Sequence, residues 1–223
     1  MGVAGWEIYH GSMAAPWQTH LPNALTMLRV VLTGAFVLVL ALRPRPFGTP
    51  LESLDAGLLV ACGLFVVAAV TDALDGHLAR KWKVVSKFGR IMDPFADKVL
   101  ILGAFIMLAG PAFTTSTGHV VSGVAAWMVV VILARELLVT SIRAIMEGDG
   151  IDFSAGWAGK AKMILQAIVV PIILVLLAWG APAHGSARAW MIDIAVWATV
   201  AATVVSGLPY ITRAISATRK PAP

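Results

Sequence analysis

Long apolar runs separated by short polar joints organise this chain. Six runs stand out: Ala24 to Leu42, Ala56 to Thr71, Pro94 to Ala109, Val120 to Ala134, Ala161 to Trp179 and Trp190 to Leu208. A helix needs roughly 20 mostly apolar residues to cross the hydrocarbon core of a bilayer. Backbone exposed to lipid must also satisfy its own hydrogen bonds, which a helix does internally. The pattern therefore predicts an all-α, polytopic integral membrane protein with six transmembrane helices, the fifth kinked at Pro171. Residues 1–20 lack the basic start, apolar middle and small-residue cleavage site of a signal peptide. With Trp6, Ile8, Tyr9 and Trp17 they suit a retained interfacial or flexible segment. No repeat or long linker divides the rest of the chain, so residues 21–215 are expected to form one membrane domain and 216–223 a cytoplasmic tail.

Composition agrees: 59% of the 223 residues are hydrophobic and only 13% charged, far more apolar than a soluble chain. Lys and Arg are unevenly placed among the joints. Arg80, Lys81, Lys83, Lys87, Arg90 and Lys98 follow the second run; Arg135, Arg143, Lys160 and Lys162 follow the fourth; Arg213, Arg219 and Lys220 lie at the end. The opposite joints carry Arg43 and Arg45, then neither Lys nor Arg from Gly110 to Gly118, then Arg188. Because positive residues in short loops stay on the cytoplasmic side, both termini and the basic joints are expected there. The net charge of +5 sits beside membrane spans rather than along one soluble face, which argues for anionic headgroups and phosphorylated ligands and against nucleic acid. Cys62 is the lone cysteine, and His10, His20, His77, His119 and His184 have no metal-ligand spacing, so neither a disulfide framework nor zinc chemistry is expected.

The chemistry lies in the acids. Asp72 and Asp75 end the second run and Asp93 and Asp97 open the third. If both stretches are helical, spacings of three and four place the carboxylates of each pair on one side of their helix. Four anions near an apolar environment repel one another or take up protons unless cations join them. Mg2+ prefers such oxygen donors and completes its shell with water or substrate phosphates. Asp72, Asp75, Gly76, Ala79 and Arg80 also share one helix face. Gly76 and Ala79 keep that face low enough for a nucleotide, Arg80 offers a diphosphate its fork of donors, and Ser86 adds a hydroxyl from the joint. The plainer alternative is that Gly76 and Ala79 serve helix packing and the basic residues only set topology.

Asp72-Ala-Leu-Asp75-Gly76-His-Leu-Ala79-Arg80, eight residues, Gly89, three residues, Asp93, three residues, Asp97 resembles the full CDP-alcohol phosphotransferase signature. Leu21-Pro22-Asn23-Ala24-Leu25-Thr26 with Arg29, then Ala134-Arg135-Glu136, Arg143 and Gly159-Lys160-Ala161-Lys162, are similar to its bacterial phosphatidylglycerophosphate synthase branch. The resemblance covers roughly residues 21 to 215, and Met163 stands where that branch commonly has threonine. It implies that Asp72, Asp75, Asp93 and Asp97 hold two divalent ions, Mg2+ or Mn2+, and that Asp97 doubles as general base. It implies that Gly76, Ala79, Arg80 and Ser86, with Asn23 and Thr26, hold the CDP moiety of CDP-diacylglycerol. Glycerol 3-phosphate would be the acceptor, phosphatidylglycerophosphate and CMP the products, and a homodimer in a bacterial inner membrane the setting. The acceptor's own phosphate calls for further cations, and Arg135, Arg143 and Lys160 are available. The plainer alternatives are that Arg135 pairs with Glu136 and that Lys160 marks the membrane edge.

Two alternatives stay open. The same chemistry can serve another acceptor, inositol phosphate or phosphatidylglycerol. A divalent-cation transporter is the rival class, but its pathway should be polar through the membrane depth, whereas these acids gather at one end.

Overall fold

The computed structural model describes residues 16–43, 47, 54–82, 87–148 and 156–218. Among these, six α-helices and no strand make up the fold: α1 Pro16–Ala41, α2 Ala56–Trp82, α3 Lys87–Leu108, α4 Ala126–Gly148, α5 Trp157–Leu177 and α6 Ala187–Thr218. Helix α1 packs along α2 and crosses α3, α5 lies between α2 and α6, and α4 packs on α6. The α3–α4 connection makes a short 3-10 turn at Pro111–Phe113 and an isolated bridge between Thr114 and Val120.

The helices run further than the apolar runs suggest. Helix α1 begins at Pro16, inside the segment expected to lie on the membrane surface. Helix α2 continues through Asp72 and Asp75 to Trp82, and α3 begins at Lys87, before the expected start at Pro94. Only residues 83–86 therefore separate the two helices, and most of the expected basic joint is helix. Hydropathy marks where a chain leaves the hydrocarbon, whereas helices stop where capping or backbone conformation stops them. The fourth run corrects in the other direction: its apolar residues span Val120 to Ala134, but the helix starts at Ala126. Gly123 sits at φ +68°, a left-handed turn in which a Cβ would come within 3.0 Å of Asp193 Oδ1, so the chain cannot be helical until it has passed that point.

Four helices contain segments long and apolar enough to cross a membrane: Asn23–Ala41, Ala56–Gly76, Gly159–Leu177 and Ala187–Ser216. Helices α3 and α4 do not reach that standard, because Asp93, Asp97 and Lys98 interrupt the first and Arg135, Glu136 and Arg143 the second. All six nonetheless turn large apolar side chains outward, among them Val31, Val60, Ile106, Val130, Ile164 and Ile194, each more than half exposed. Only 28–39% of each candidate span is buried within the bundle. Apolar surface on that scale needs lipid as its solvent, so the protein is a helical membrane protein.

Inside, each helix contributes a stripe of buried positions at steps of three and four. Phe36 and Leu40 of α1 meet Leu58, Ala61, Phe65 and Ala68 of α2, and the Phe36 and Phe65 rings lie 5.6 Å apart. Buried Ala61, Ala68, Ala96 and Ala104 let backbones approach closely, the main source of helix attraction where lipid is as apolar as the core. Followed toward the other end of the bundle, the same stripes turn polar. Phe36 leads to Thr33, Arg29 and Thr26 on α1, and Ala68 leads to Thr71 and Asp75 on α2, all of them buried.

Candidate active site

Continuation of these stripes brings the functional side chains together. Arg29, 0% exposed, lies between the acids of α2: its Nη1 is 2.6 Å from Asp72 Oδ1, and its Nη2 pairs with Asp75 Oδ2. One turn earlier on α1, Thr26 Oγ1 donates to Asp93 Oδ1 at 2.6 Å. Asp97, one turn beyond Asp93 on α3, lies within electrostatic reach of Asp72, Arg29, Glu136 and Lys162. Asp75 is likewise within reach of Asp72 and Asp93. The two acidic pairs thus belong to one electrostatic group drawn from neighbouring helices.

A second polar layer comes from α4 and α5. Glu136 accepts from Lys162 Nζ and, at 3.2 Å, from Arg135 Nη1. Lys162 is 3% exposed, and Gln166, a turn further along α5, donates to Thr203 of α6 at 3.4 Å. Arg135 also donates to the Ser206 carbonyl at 3.2 Å and lies 5.8 Å from the centre of the Tyr210 ring. Gly159 and Gly207 make room for this packing, since a Cβ on Gly207 would stand 3.4 Å from Arg135 Cγ.

An apolar groove of about 270 Å3 between α2, α3 and α5 reaches this group. Ala69, Ala73, Leu100, Ile164, Ala167 and Ile168 form its walls, and Asp72 and Asp97 are its charged residues. A mostly apolar groove with two carboxylates in its lining matches an amphiphile whose polar head reaches the acids while its tail stays among hydrocarbon side chains.

The expected site residues fare differently. Asp72, Asp75, Asp93, Asp97 and Thr26 enter the group directly, Asn23 lies one turn before Thr26, and Gly76 presents its backbone to Asp75. The side chains of Ala79 and Arg80, and the whole of Ser86, lie outside the described residues. Of the proposed acceptor cations, Arg135 is engaged by Glu136 and Ser206, Arg143 pairs with Glu147 at 3.1 Å, and Lys160 is exposed. Arg135 and Arg143 each keep a buried Nε–H with no hydrogen-bond acceptor among the described residues. Sequence reasoning gave Arg29 and Lys162 no role in the site. The available signal was phase, since Arg29 lies seven residues before Phe36 on one helix face and Lys162 four before Gln166.

The donor set is all oxygen, four carboxylates on facing helices, and by chemistry fits a hard divalent ion such as Mg2+ or Mn2+. Among the described residues, no three His, Cys, Asp or Glu side chains close on a common point. Asp72 and Asp75 are instead directed to Arg29, and Asp93 to Thr26.

A lipid-facing helix bundle with acids and cations gathered beside an apolar groove is a membrane protein built around a charged, amphiphilic ligand. The family model described as CDP-alcohol phosphatidyltransferase matches residues 19–205. The chain is 35% identical over 197 residues to the CDP-diacylglycerol--glycerol-3-phosphate 3-phosphatidyltransferase of Bacillus subtilis, covering 87% of this chain and 94% of that protein. It is 34% identical to a probable phosphatidylglycerophosphate synthase of Mycobacterium tuberculosis, over 88% of this chain and 82% of that one. With the CDP-diacylglycerol--glycerol-3-phosphate 3-phosphatidyltransferase of Escherichia coli K12 it shares 34% identity over 73% of this chain and 76% of the relative. The chain belongs to the CDP-alcohol phosphatidyltransferase family.

Proposed function

We propose that the protein transfers the phosphatidyl group of CDP-diacylglycerol to glycerol 3-phosphate, releasing phosphatidylglycerophosphate and CMP. The observation that carries this reading is the apolar groove whose lining includes Asp72 and Asp97, which suits a lipid tail and a diphosphate head in one molecule. The names of the Bacillus subtilis and Escherichia coli relatives supply the acceptor.

In this reading Asp72, Asp75, Asp93 and Asp97 hold two divalent ions, Mg2+ or Mn2+. Ions held there would supply charge neutralisation for a diphosphate and its leaving group. Asn23, Thr26, Gly76, Ala79, Arg80 and Ser86 hold the CDP portion. Asp97 accepts the proton of the attacking glycerol 3-phosphate hydroxyl. The hydroxyl oxygen forms a new bond to the lipid-linked phosphorus, the bond from that phosphorus to the CMP oxygen breaks, and CMP leaves with the electron pair. Arg135, Arg143 and Lys160 serve the acceptor's phosphate. All six helices cross a bacterial inner membrane, with the active site and both termini cytoplasmic, and the chain works as a homodimer. Positive-inside asymmetry supports the orientation, and family resemblance the dimer and the location.

The test is CMP release by purified protein given CDP-diacylglycerol and a panel of acceptors with Mg2+ or Mn2+. Release dependent on glycerol 3-phosphate is expected. Release only with inositol phosphate or phosphatidylglycerol would reassign the acceptor, and metal flux into liposomes without lipid turnover would overturn the enzyme reading.

A further inference from the structure

We infer that helix α1 orients the metal-binding carboxylates, with Arg29 and Thr26 as the positioning residues. This rests on the four-aspartate metal reading of the proposed function. Arg29 is fully buried: its Nη2 donates a hydrogen bond to Asp75, its Nη1 meets Asp72 as an ion pair without hydrogen-bond geometry, and its Nε–H has no acceptor among the described residues. The polar contacts of its guanidinium end go to Asp72 and Asp75. A buried ion pair is a poor way to hold two helices together, because desolvating the charges offsets most of their attraction and apolar residues do the same work as well or better. What an arginine adds is geometry. Its two terminal nitrogens lie at a fixed separation in one plane, so one group sets the spacing and tilt of two carboxylates that would otherwise repel and swing apart.

Arg29 meets Oδ1 of Asp72 and Oδ2 of Asp75, so one planar group holds an oxygen of each carboxylate. Thr26 treats the second acidic pair in the same way, donating to Oδ1 of Asp93. Thr26 and Arg29 are three residues apart on one face of α1, so a single rigid helix addresses both α2 and α3. Hydrogen-bonded partners of this kind orient metal ligands, and losing one typically costs about 10–100-fold in metal affinity or activity.

The experiment measures Mn2+ binding to the full-length protein in detergent by the electron paramagnetic resonance signal of free Mn2+, alongside activity over a range of metal concentrations. Arg29→Gln and Arg29→Lys are each expected to weaken Mn2+ binding at least about 10-fold, with the lysine variant the less affected. Lysine keeps the charge but can meet only one carboxylate. The metal concentration for half-maximal activity should rise more than kcat at saturating metal falls, a split that a general folding defect would not produce. Thr26→Val keeps the side-chain shape and removes the bond to Asp93; it should weaken Mn2+ binding several-fold, and it decides the matter should the arginine variants fail to fold. Unchanged Mn2+ affinity in the folded variants overturns the inference. So does tighter binding in Arg29→Gln, which would make Arg29 a counter-ion competing with the metal. Absence of Mn2+ binding by the unaltered protein strikes down the metal reading itself, and this inference with it.

Discussion

Two arginines tie α1 to its partner helix, and their electrical surroundings differ sharply. Arg43, just past the end of α1, pairs with Asp55 at the start of α2. Its guanidinium also lies 4.9 Å from the Phe47 ring centre and 5.7 Å from that of Phe113. Asp55 in turn accepts the Leu58 amide at 3.0 Å and caps α2. That arrangement is one cation to one anion, and it closes a loop end. Arg29, about 20 Å away along α1 at 1.5 Å per residue, faces Asp72 and Asp75 together, with Asp93 and Asp97 in the same electrostatic group. A balanced pair is complete as it stands, whereas an acid-rich group calls for further cations. Surplus charge of one sign in a dry place therefore separates a functional site from a structural bridge more clearly than the presence of an ion pair does.

That contrast can be broken, and the largest test is of the divalent ions the acids are proposed to hold. Chelation of divalent ions with EDTA should abolish CMP release, and Mg2+ or Mn2+ should restore it; turnover that survives chelation would mean the acidic end needs no metal. Next in size, Asp97→Asn should lower kcat by about 1000-fold, in line with the loss of a general base, while gel filtration shows an intact protein. Activity within a few-fold of the unaltered enzyme removes Asp97 from that role. Smaller again is Ile168→Trp, which narrows the groove at a half-exposed wall position. It should raise KM for long-chain CDP-diacylglycerol about 10-fold, the effect of an ill-fitting apolar pocket, with short-chain donors less affected. Equal sensitivity of all donors would show that the tail lies elsewhere. Arg143→Ala should raise KM for glycerol 3-phosphate several-fold and leave donor KM alone, and an unchanged acceptor KM counts against a phosphate contact. The smallest effect on turnover belongs to the balanced bridge. Arg43→Ala should cost about 2 kcal/mol of stability through loss of a charged hydrogen bond, seen as a lower Tm in detergent, while kcat stays put; a fall in kcat at a temperature where the protein is folded would erase the distinction.

Phase accounts for what was legible beforehand. The signature acids at steps of three and four were visible because a continuous helix converts spacing directly into a shared face, and both pairs do enter one electrostatic group. Apolar runs likewise revealed six helices. They misplaced the ends, since α2 and α3 continue as helices through charged residues and the start of α4 waits on Gly123.

By itself, the sequence determined that the chain is helical, that lipid is its solvent and which carboxylates share a helix face, because these follow from local periodicity and transfer energy. Tertiary structure alone decided the partners. Arg29 meets acids more than forty positions away, Lys162 meets Glu136 across two helices, and the His119 and His184 rings, unrelated by any spacing, stand 5.0 Å apart edge to face. Such meetings depend on how one helix is rotated and shifted against another. That is settled by the sum of many small packing contacts along the buried stripes, and no short stretch of chain contains it.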